Sequence, residues 1–332
     1  MANDERPAVA FLGPEASYTH QAALSTFPPT THSLSPCTTI ADVFTAVQSG
    51  TAHRGVVPFE NSSNGSVIFT FDLIGDLHGT HPDILVCGEA YVPVKHCLLG
   101  HSIPNAIPTT GRNVQFDAKF TNPLAVPRSD LSKITKLYSH PQAWGQCKAF
   151  LDTYLKGVER QDVSSTSRAA ELVAADPFGG TAALSSHVAA KVFGLDVLAE
   201  SINDHLGNTT RFLVIRRRDS ALAPQEDKHK NDKQDKWKSL LTFTVDHAHP
   251  GALAKCLTVF EKYALNLTSI NTRPSGVENW NYVFFVEFDG RKEDDEAQGN
   301  VNKALNDVSR ICKACSWKGS WKSRLELSTS AV

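Results

Sequence analysis

The sequence of 332 residues is 41% hydrophobic and 20% charged, a balance that supports a sizeable folded core and, at this length, two or three domains. A formal net charge of −2 argues against nucleic acid or an anionic membrane as the main partner. No apolar run approaches the roughly 18 residues of a spanning helix, and acids precede the first short apolar run, unlike a secretory signal.

From residue 7 to 218, short β-branched runs alternate with helical patterns, the signature of an α/β region. In chain order the pattern predicts a strand at 8–12, helices at 18–27 and 40–49, and strands at 54–59 and 84–99. A strand at 134–139, a helix at 141–155, a strand at 158–163 and a helix at 167–175 come next. The region closes with a strand at 181–184, a helix at 187–193 and a strand at 211–215. Residues 226–236 read EDKHKNDKQDK, eight charged among eleven, and such a run reads as a solvated linker that leaves the C-terminal segment room to move. Beyond it, strands at 240–245, 266–272, 282–288 and 317–322 and helices at 251–265 and 301–311 give β-α-β-β-α-β, a ferredoxin-like α+β unit.

Three strand-to-helix junctions are rich in small donors: Gly13 to Thr19, Pro58 to Ser66, and Ser139 to Gln142. Helix N-termini offer unpaired N–H groups to an anion, although Ser and Asn there are also ordinary caps. Neither GxxxxGK[ST] nor GxGxxG occurs, which argues against a nucleotide and leaves a carboxylate as the expected anion. A fourth cluster, Asn203 to Phe212, places Thr210 and Arg211 at the mouth of a strand, where an Arg can grip a carboxylate. The seven scattered cysteines suit reduced thiols in the cytoplasm, and neither the Cys312/Cys315 pair nor His247 with His249 supplies enough ligands for a metal.

The segments GPEASYTHQAA, GVVPFENSSNGSV, SHPQAWGQC and SINDHLGNTTRF, and then the C-terminal unit, stand in the order found in prephenate dehydratases. The chain resembles a monofunctional member of that family with a C-terminal ACT regulatory domain. The resemblance implies an α/β catalytic domain at 7–218, two-lobed and similar to type II periplasmic binding proteins. One lobe is expected at 7–105 with 189–216 and the other at 106–188, with a linker at 219–236 and an ACT domain at 237–325. It further implies decarboxylating dehydration of prephenate to phenylpyruvate in phenylalanine biosynthesis, a carbon–oxygen lyase reaction with no cofactor and no metal. No chorismate mutase domain is expected ahead of the first strand.

By carry-over from the family, Thr210 donates a hydrogen bond to the leaving hydroxyl, Arg211 binds a carboxylate or orients the loop, and Phe212 packs beneath the site. Glu60 and His140 are candidate proton sources. Ser17, Thr19, Asn61, Ser62, Gly65, Ser139, Gln142 and Thr166 are candidate positioning groups for the substrate. The family's GALx and ESRP effector motifs correspond to Gly251-Ala252-Leu253-Ala254 and Asn271-Thr272-Arg273-Pro274, with Asn and Thr in place of Glu and Ser. L-phenylalanine is therefore the expected allosteric effector, of a cytoplasmic homodimer or homotetramer. Arogenate as substrate, a ligand sensor without catalysis, and a catalytically dead subunit are the alternative readings.

Overall fold

The computed structural model describes residues 6–103, 107–109, 123–176, 178–220, 236–295 and 298–325. Most of the charged run at 226–236 lies outside these residues. The first elements are β1 (Ala8–Leu12), α1 (Tyr18–Thr26), β2 (Ser33–Cys37), α2 (Ile40–Gln48), β3 (Arg54–Asn61), β4 (Gly65–Ser66), α3 (Ile68–Gly75) and β5 (Ile84–Pro93). Next come β6 (His96–Gly100), β7 (Lys136–Ser139), α4 (Pro141–Gln146), α5 (Lys148–Tyr154), β8 (Glu159–Asp162), α6 (Thr166–Ala174), β9 (Thr181–Ser186), α7 (His187–Phe193), β10 (Asp196–Ala199) and β11 (Thr209–Arg217). The C-terminal region contributes β12 (Trp237–Thr244), α8 (Ala252–Lys262), β13 (Leu267–Pro274), β14 (Tyr282–Asp289), α9 (Asn300–Ile311) and β15 (Ala314–Lys322).

The chain divides into two compact units. The first takes the segment up to Leu12, Ala23–Tyr91 and everything from Arg211 onward; the second takes Gly13–Ala22 and Val92–Thr210. In the first unit the strands run β2-β1-β3-β11-β5, with β4 paired to the end of β3. Parallel β1 and β3 bury Val9, Phe11, Val56 and Val57 completely, which is why they read as continuous apolar runs. Helix α2 starts at a capping box between Thr39 and Asp42 and buries Val43, Phe44 and Val47.

The second sheet of this unit runs β13-β14-β12-β15 and is antiparallel throughout, the ferredoxin-like order. One of its faces is closed by α8 and α9, through Leu241, Phe243, Phe284, Val286 and Phe288 against Cys256, Phe260, Ala304 and Val308. Its other face is covered as well. Leu240, Val283, Phe285 and Trp321 share one core with Phe59, Phe71, Ile74, Ile84, Val86 and Leu213. Phe285 meets Phe71 edge-on at 5.2 Å, and burying apolar side chains of this size contributes about 1.5–3 kcal/mol each. At Gly319, with φ +131°, an added Cβ would lie 2.0 Å from the Val86 carbonyl oxygen. That close backbone approach admits only glycine. The charged linker predicts a unit with room to move, whereas the structure packs this unit into the first unit's core.

The second unit holds the sheet β10-β6-β9-β7-β8. Successive residues of its strands face opposite sides. Leu98, Leu137 and Leu184 pack on Ala143, Phe150 and Leu151 of α4 and α5, while Cys97, Leu99 and Ala183 pack on Ala169, Val173, Ala189 and Ala190 of α6 and α7.

Several elements differ from the sequence pattern. The strand expected at 84–99 is two, β5 and β6, in separate sheets, because Val94 and Lys95 between them leave the ladder. The helix expected at 141–155 breaks at Cys147, whose φ of −128° and ψ of 23° are not helical. The local pattern does not mark β2, β4, α3 or β10. Strand β2 reads SLSPC and pairs only with β1, an edge position that tolerates polar residues and Pro36. Among the described residues no helix is long and apolar enough to cross a membrane.

Candidate active site

The residues singled out from the sequence fall in both units. In the first, β3 ends at Glu60 and Asn61, and a tight hairpin returns through β4, pairing Glu60 with Ser66 and Asn61 with Gly65. The Asn61 side-chain oxygen accepts from the backbone N–H groups of Ser63 at 3.0 Å and Asn64 at 2.9 Å. This Asx-type turn, closed by Gly65 at φ +80°, sets the loop and leaves Ser62 exposed. Phe59 beneath the loop stacks on Phe71 at 4.5 Å.

Arg211 is the most heavily engaged residue of the site. It is 6% exposed, and its Nε and Nη2 reach the Glu89 carboxylate at 2.9 and 2.7 Å. Nη2 also reaches Glu287 of β14 at 2.6 Å, and Nη1 stands 4.0 Å from Glu60. Lys238 of β12 completes the group, 3.2 Å from Glu287 and 3.6 Å from Glu89. The Thr268 hydroxyl donates to Glu287 at 3.0 Å, and the Tyr91 hydroxyl and the Arg324 N–H donate to Glu89 at 3.4 and 2.8 Å. The guanidinium also lies over the rings of Phe59 and Tyr91.

Two cations and two anions thus neutralise one another out of solvent. Burial pushes the Glu89 carboxyl up, but Arg211, Lys238 and the bonds it accepts outweigh that and hold it below its ordinary value. Burial opposes the charge on Arg211 too, and Glu287 and Glu89 overcome it. The carboxylates on Arg211 are the protein's own. Phe212, next in the strand, is fully buried.

In the second unit the start of α6 holds the segment that leads into α1. Ser167 of α6 donates to the Glu15 carbonyl and Ser186 donates to the Ala16 carbonyl at 3.4 Å, which fixes the chain just before Ser17. Ser17 Oγ accepts from the His20 N–H at 3.2 Å, and Thr19 is buried. Tyr18 is hydrogen-bonded to His96 Nδ1 at 3.2 Å, and His96 Nε2 to Gln146 of α4 at 2.8 Å. Burial holds His96 below its ordinary value and so neutral.

His140 caps α4, with Nδ1 accepting from the Gln142 N–H at 3.3 Å. The proton of its neutral ring therefore sits on Nε2. Burial lowers its pKa against the pull of Asp162. Ser139 is wholly buried and donates to the Leu184 carbonyl at 3.1 Å, which fixes β7 on β9. Thr166 opens α6 behind the Ser165 cap. Thr210 is partly exposed, and the boundary between the units falls between it and Arg211.

Of the effector segments, Gly251 precedes α8 with φ +80°, and Ala252, Leu253 and Ala254 form its first turn. Asn271–Pro274 ends β13. The Asn271 side chain accepts from Ser66 Oγ at 3.0 Å, and Arg273 pairs with Asp72 of α3 at 2.6 and 3.0 Å. His247 accepts from the Tyr282 N–H at 2.9 Å and His249 pairs with Asp246 at 2.6 Å. Cys312 and Cys315 are hydrogen-bonded to one another, which raises Cys312 and draws Cys315 down to about 7.

Sequence reasoning did not single out Glu89, Lys238, Glu287, Tyr18 or His96. The first three carried a signal: each is a lone charge in an apolar strand, in VCGEAYV, WKSLL and YVFFVEF. A charge in such a place needs a partner of opposite sign.

The family model described as prephenate dehydratase matches residues 9–220. The bifunctional chorismate mutase/prephenate dehydratase of Aquifex aeolicus is 35% identical, over 98% of this chain and 76% of that protein. The "Probable prephenate dehydratase" of Saccharomyces cerevisiae is 33% identical, over 93% of this chain and 94% of its own length. Among solved structures, the prephenate dehydratase of Arthrobacter aurescens in complex with L-Phe superposes with a TM-score of 0.74 at 27% identity, covering 95% of this chain and 90% of that one. By sequence along nearly its whole length and by fold, this chain belongs to the prephenate dehydratase family.

Proposed function

We propose that this chain converts prephenate to phenylpyruvate, water and carbon dioxide. The observation that carries the reading is the anchoring of Arg211 between Glu89 and Glu287. Strand residues alternate between faces, so holding Arg211 on one side of β11 fixes what Thr210 and Phe212 present on the other. In the reaction the bond from ring to carboxylate breaks and its electron pair enters the ring. The carbon–oxygen bond of the ring hydroxyl breaks with it, and one proton converts the departing hydroxide to water. The gain of aromaticity supplies the driving force, so the protein needs only to hold a dianion and stabilise the leaving oxygen.

Thr210 donates to that oxygen. A threonine hydroxyl is too weak an acid to be the final proton source, and Glu60, half-exposed beside Arg211, and His140, with its ring proton on Nε2, are the groups assigned to supply it. Ser17, Thr19, Asn61, Ser62, Gly65, Gln142 and Thr166 position the substrate in this reading, and Ser139 acts through the backbone it fixes. A two-lobed catalytic domain at 7–218 and a regulatory ACT domain at 237–325 complete the assignment; β6 and β10, expected in the first lobe, pair instead within the second unit's sheet. We assign L-phenylalanine as effector at Gly251–Ala254 and Asn271–Pro274, in a cytoplasmic homodimer or homotetramer. The L-Phe complex of the Arthrobacter relative supports the effector.

The test is a direct assay of purified protein for phenylpyruvate from prephenate, with arogenate offered separately and phenylalanine detected. Turnover of prephenate that is lost in Thr210→Ala is the expected result. Turnover of arogenate alone would move the substrate, and binding without turnover of either would leave a sensor.

A further inference from the structure

Glu287 and Lys238 lie in the C-terminal sheet, outside the segment that the family model matches. They nevertheless supply half of the charge group around Arg211. Glu89 is the only other acid in close contact with that guanidinium among the described residues, since Glu60 stands at 4.0 Å. Lys238 comes from β12 and Glu287 from β14, so the four charges balance with both side chains in place, and loss of either one alone leaves an uncompensated charge out of solvent.

Glu287 is itself fixed. It is 2% exposed, and the Thr268 hydroxyl of β13 binds its second oxygen. The sheet that carries it is seated by Phe285 on Phe71 and by Gly319 at Val86. We infer that Glu287 is a positioning residue for the reaction: through Arg211 it sets where Thr210 stands, so the regulatory sheet forms part of the site rather than merely adjoining it. The inference rests on the dehydratase reading of this chain.

The strand that carries the assigned effector segment touches the same parts. Asn271, opposite Phe285 in the register of β13 and β14, takes a hydrogen bond from Ser66, one residue beyond Gly65 of the substrate loop. Thr268, on the same strand, holds Glu287. Whatever shifts β13 therefore bears on both the loop and Arg211.

The experiment compares the parent chain with Glu287→Gln and with the double variant Glu287→Gln/Lys238→Met. The first keeps the side chain's shape and leaves the group with one excess positive charge; the second restores the balance. Steady-state kinetics with prephenate and thermal unfolding are measured for all three. The expected result for Glu287→Gln is a fall in kcat of about 10- to 10²-fold, the scale of a small misplacement in a reacting site, with KM within about threefold of the parent. In the double variant thermal stability recovers and kcat does not. A purely structural role predicts that kcat recovers with stability, and that outcome overturns the proposal, as does a folded Glu287→Gln protein with the parent's kcat. A parent chain with no prephenate turnover overturns the dehydratase reading and this inference together, whereas an active parent with an unaffected variant overturns this inference alone.

Discussion

Each unit fixes its candidate residues by different physics. In the first, Arg211 is fixed by buried carboxylates on β5 and β14, which also bind Lys238 of β12. In the second, Ser139, Tyr18 and His96 are fixed by neutral hydrogen bonds to a carbonyl and to side chains. A buried charge set is strong only while it is complete, because one deletion strands an ion away from water. A neutral hydrogen bond costs far less to lose. The first unit should therefore be brittle at a few positions, and the second forgiving at many.

The sharpest way to break this contrast is Arg211→Met. It leaves two carboxylates facing one lysine out of solvent, and the expected loss is about 3–5 kcal/mol in denaturant unfolding. A loss below about 1 kcal/mol would mean that the group is solvated and the contrast empty. Gly319→Ala comes next. Its Cβ would meet the Val86 carbonyl at 2.0 Å, and relief requires the C-terminal sheet to lift from β5 at a cost of about 1–3 kcal/mol. Amide exchange in β15 reports it, and unchanged protection there would refute the docking geometry.

Thr210→Ala should lower kcat by about 10²-fold, the scale of one lost donor to a developing negative charge, with folding intact. A folded variant with the parent's turnover would remove Thr210 from the chemistry. The smallest effect is expected for Tyr18→Phe, which removes neutral bonds to the Lys95 carbonyl and to His96, for about 0.5–1.5 kcal/mol each. A loss as large as that of Arg211→Met would erase the distinction between the units.

Acid should separate the units as well. His20, His96 and His140 in the second are held below the ordinary value of 6.5, chiefly by burial. The unfolded chain takes up these protons first, so their contribution is present above pH 6.5 and is lost as pH falls from there toward the folded values. Glu89 in the first unit is held below its ordinary 4.5, so its contribution persists until pH drops beneath that point. Amide exchange tracked against pH should show protection falling in β6 and β9 before β5 and β14. The reverse order would contradict it.

Much of this architecture was legible in the sequence because it rests on local rules. Strands buried on both faces, such as β1, read as apolar runs, and the segment from 240 to 322 reads as β-α-β-β-α-β from alternation and helical spacing. The failures lie where tertiary contact overrides local pattern. β2 is polar because it lies at an edge, and β4 is two residues long. The run from Ile84 to Leu99 looks continuous because its break, Val94-Lys95, carries no glycine, and proline comes only at Pro93. At the site, the junctions at Glu60–Asn61 and Ser139–His140 and the Thr210–Arg211 pair stood out through residue type and resemblance. The partners of Arg211 did not, since Glu89 and Glu287 are 122 and 76 residues away from it in sequence. Only the fold unites them.

The face of the C-terminal sheet that carries Lys238, Leu240, Phe285 and Glu287 has a consequence for how such proteins diversify. A sensor domain with one free face can be traded between enzymes as a cassette, since nothing on its host depends on the exchange. Here the host's Glu89 and Arg211 match a cation and an anion on the incoming sheet, and Gly319 must fall opposite Val86. Inheritance of the two parts is therefore linked. A chimera of this catalytic region with a relative's C-terminal unit should work only when the donor brings an acid–lysine pair at these two strand positions and a glycine at the third.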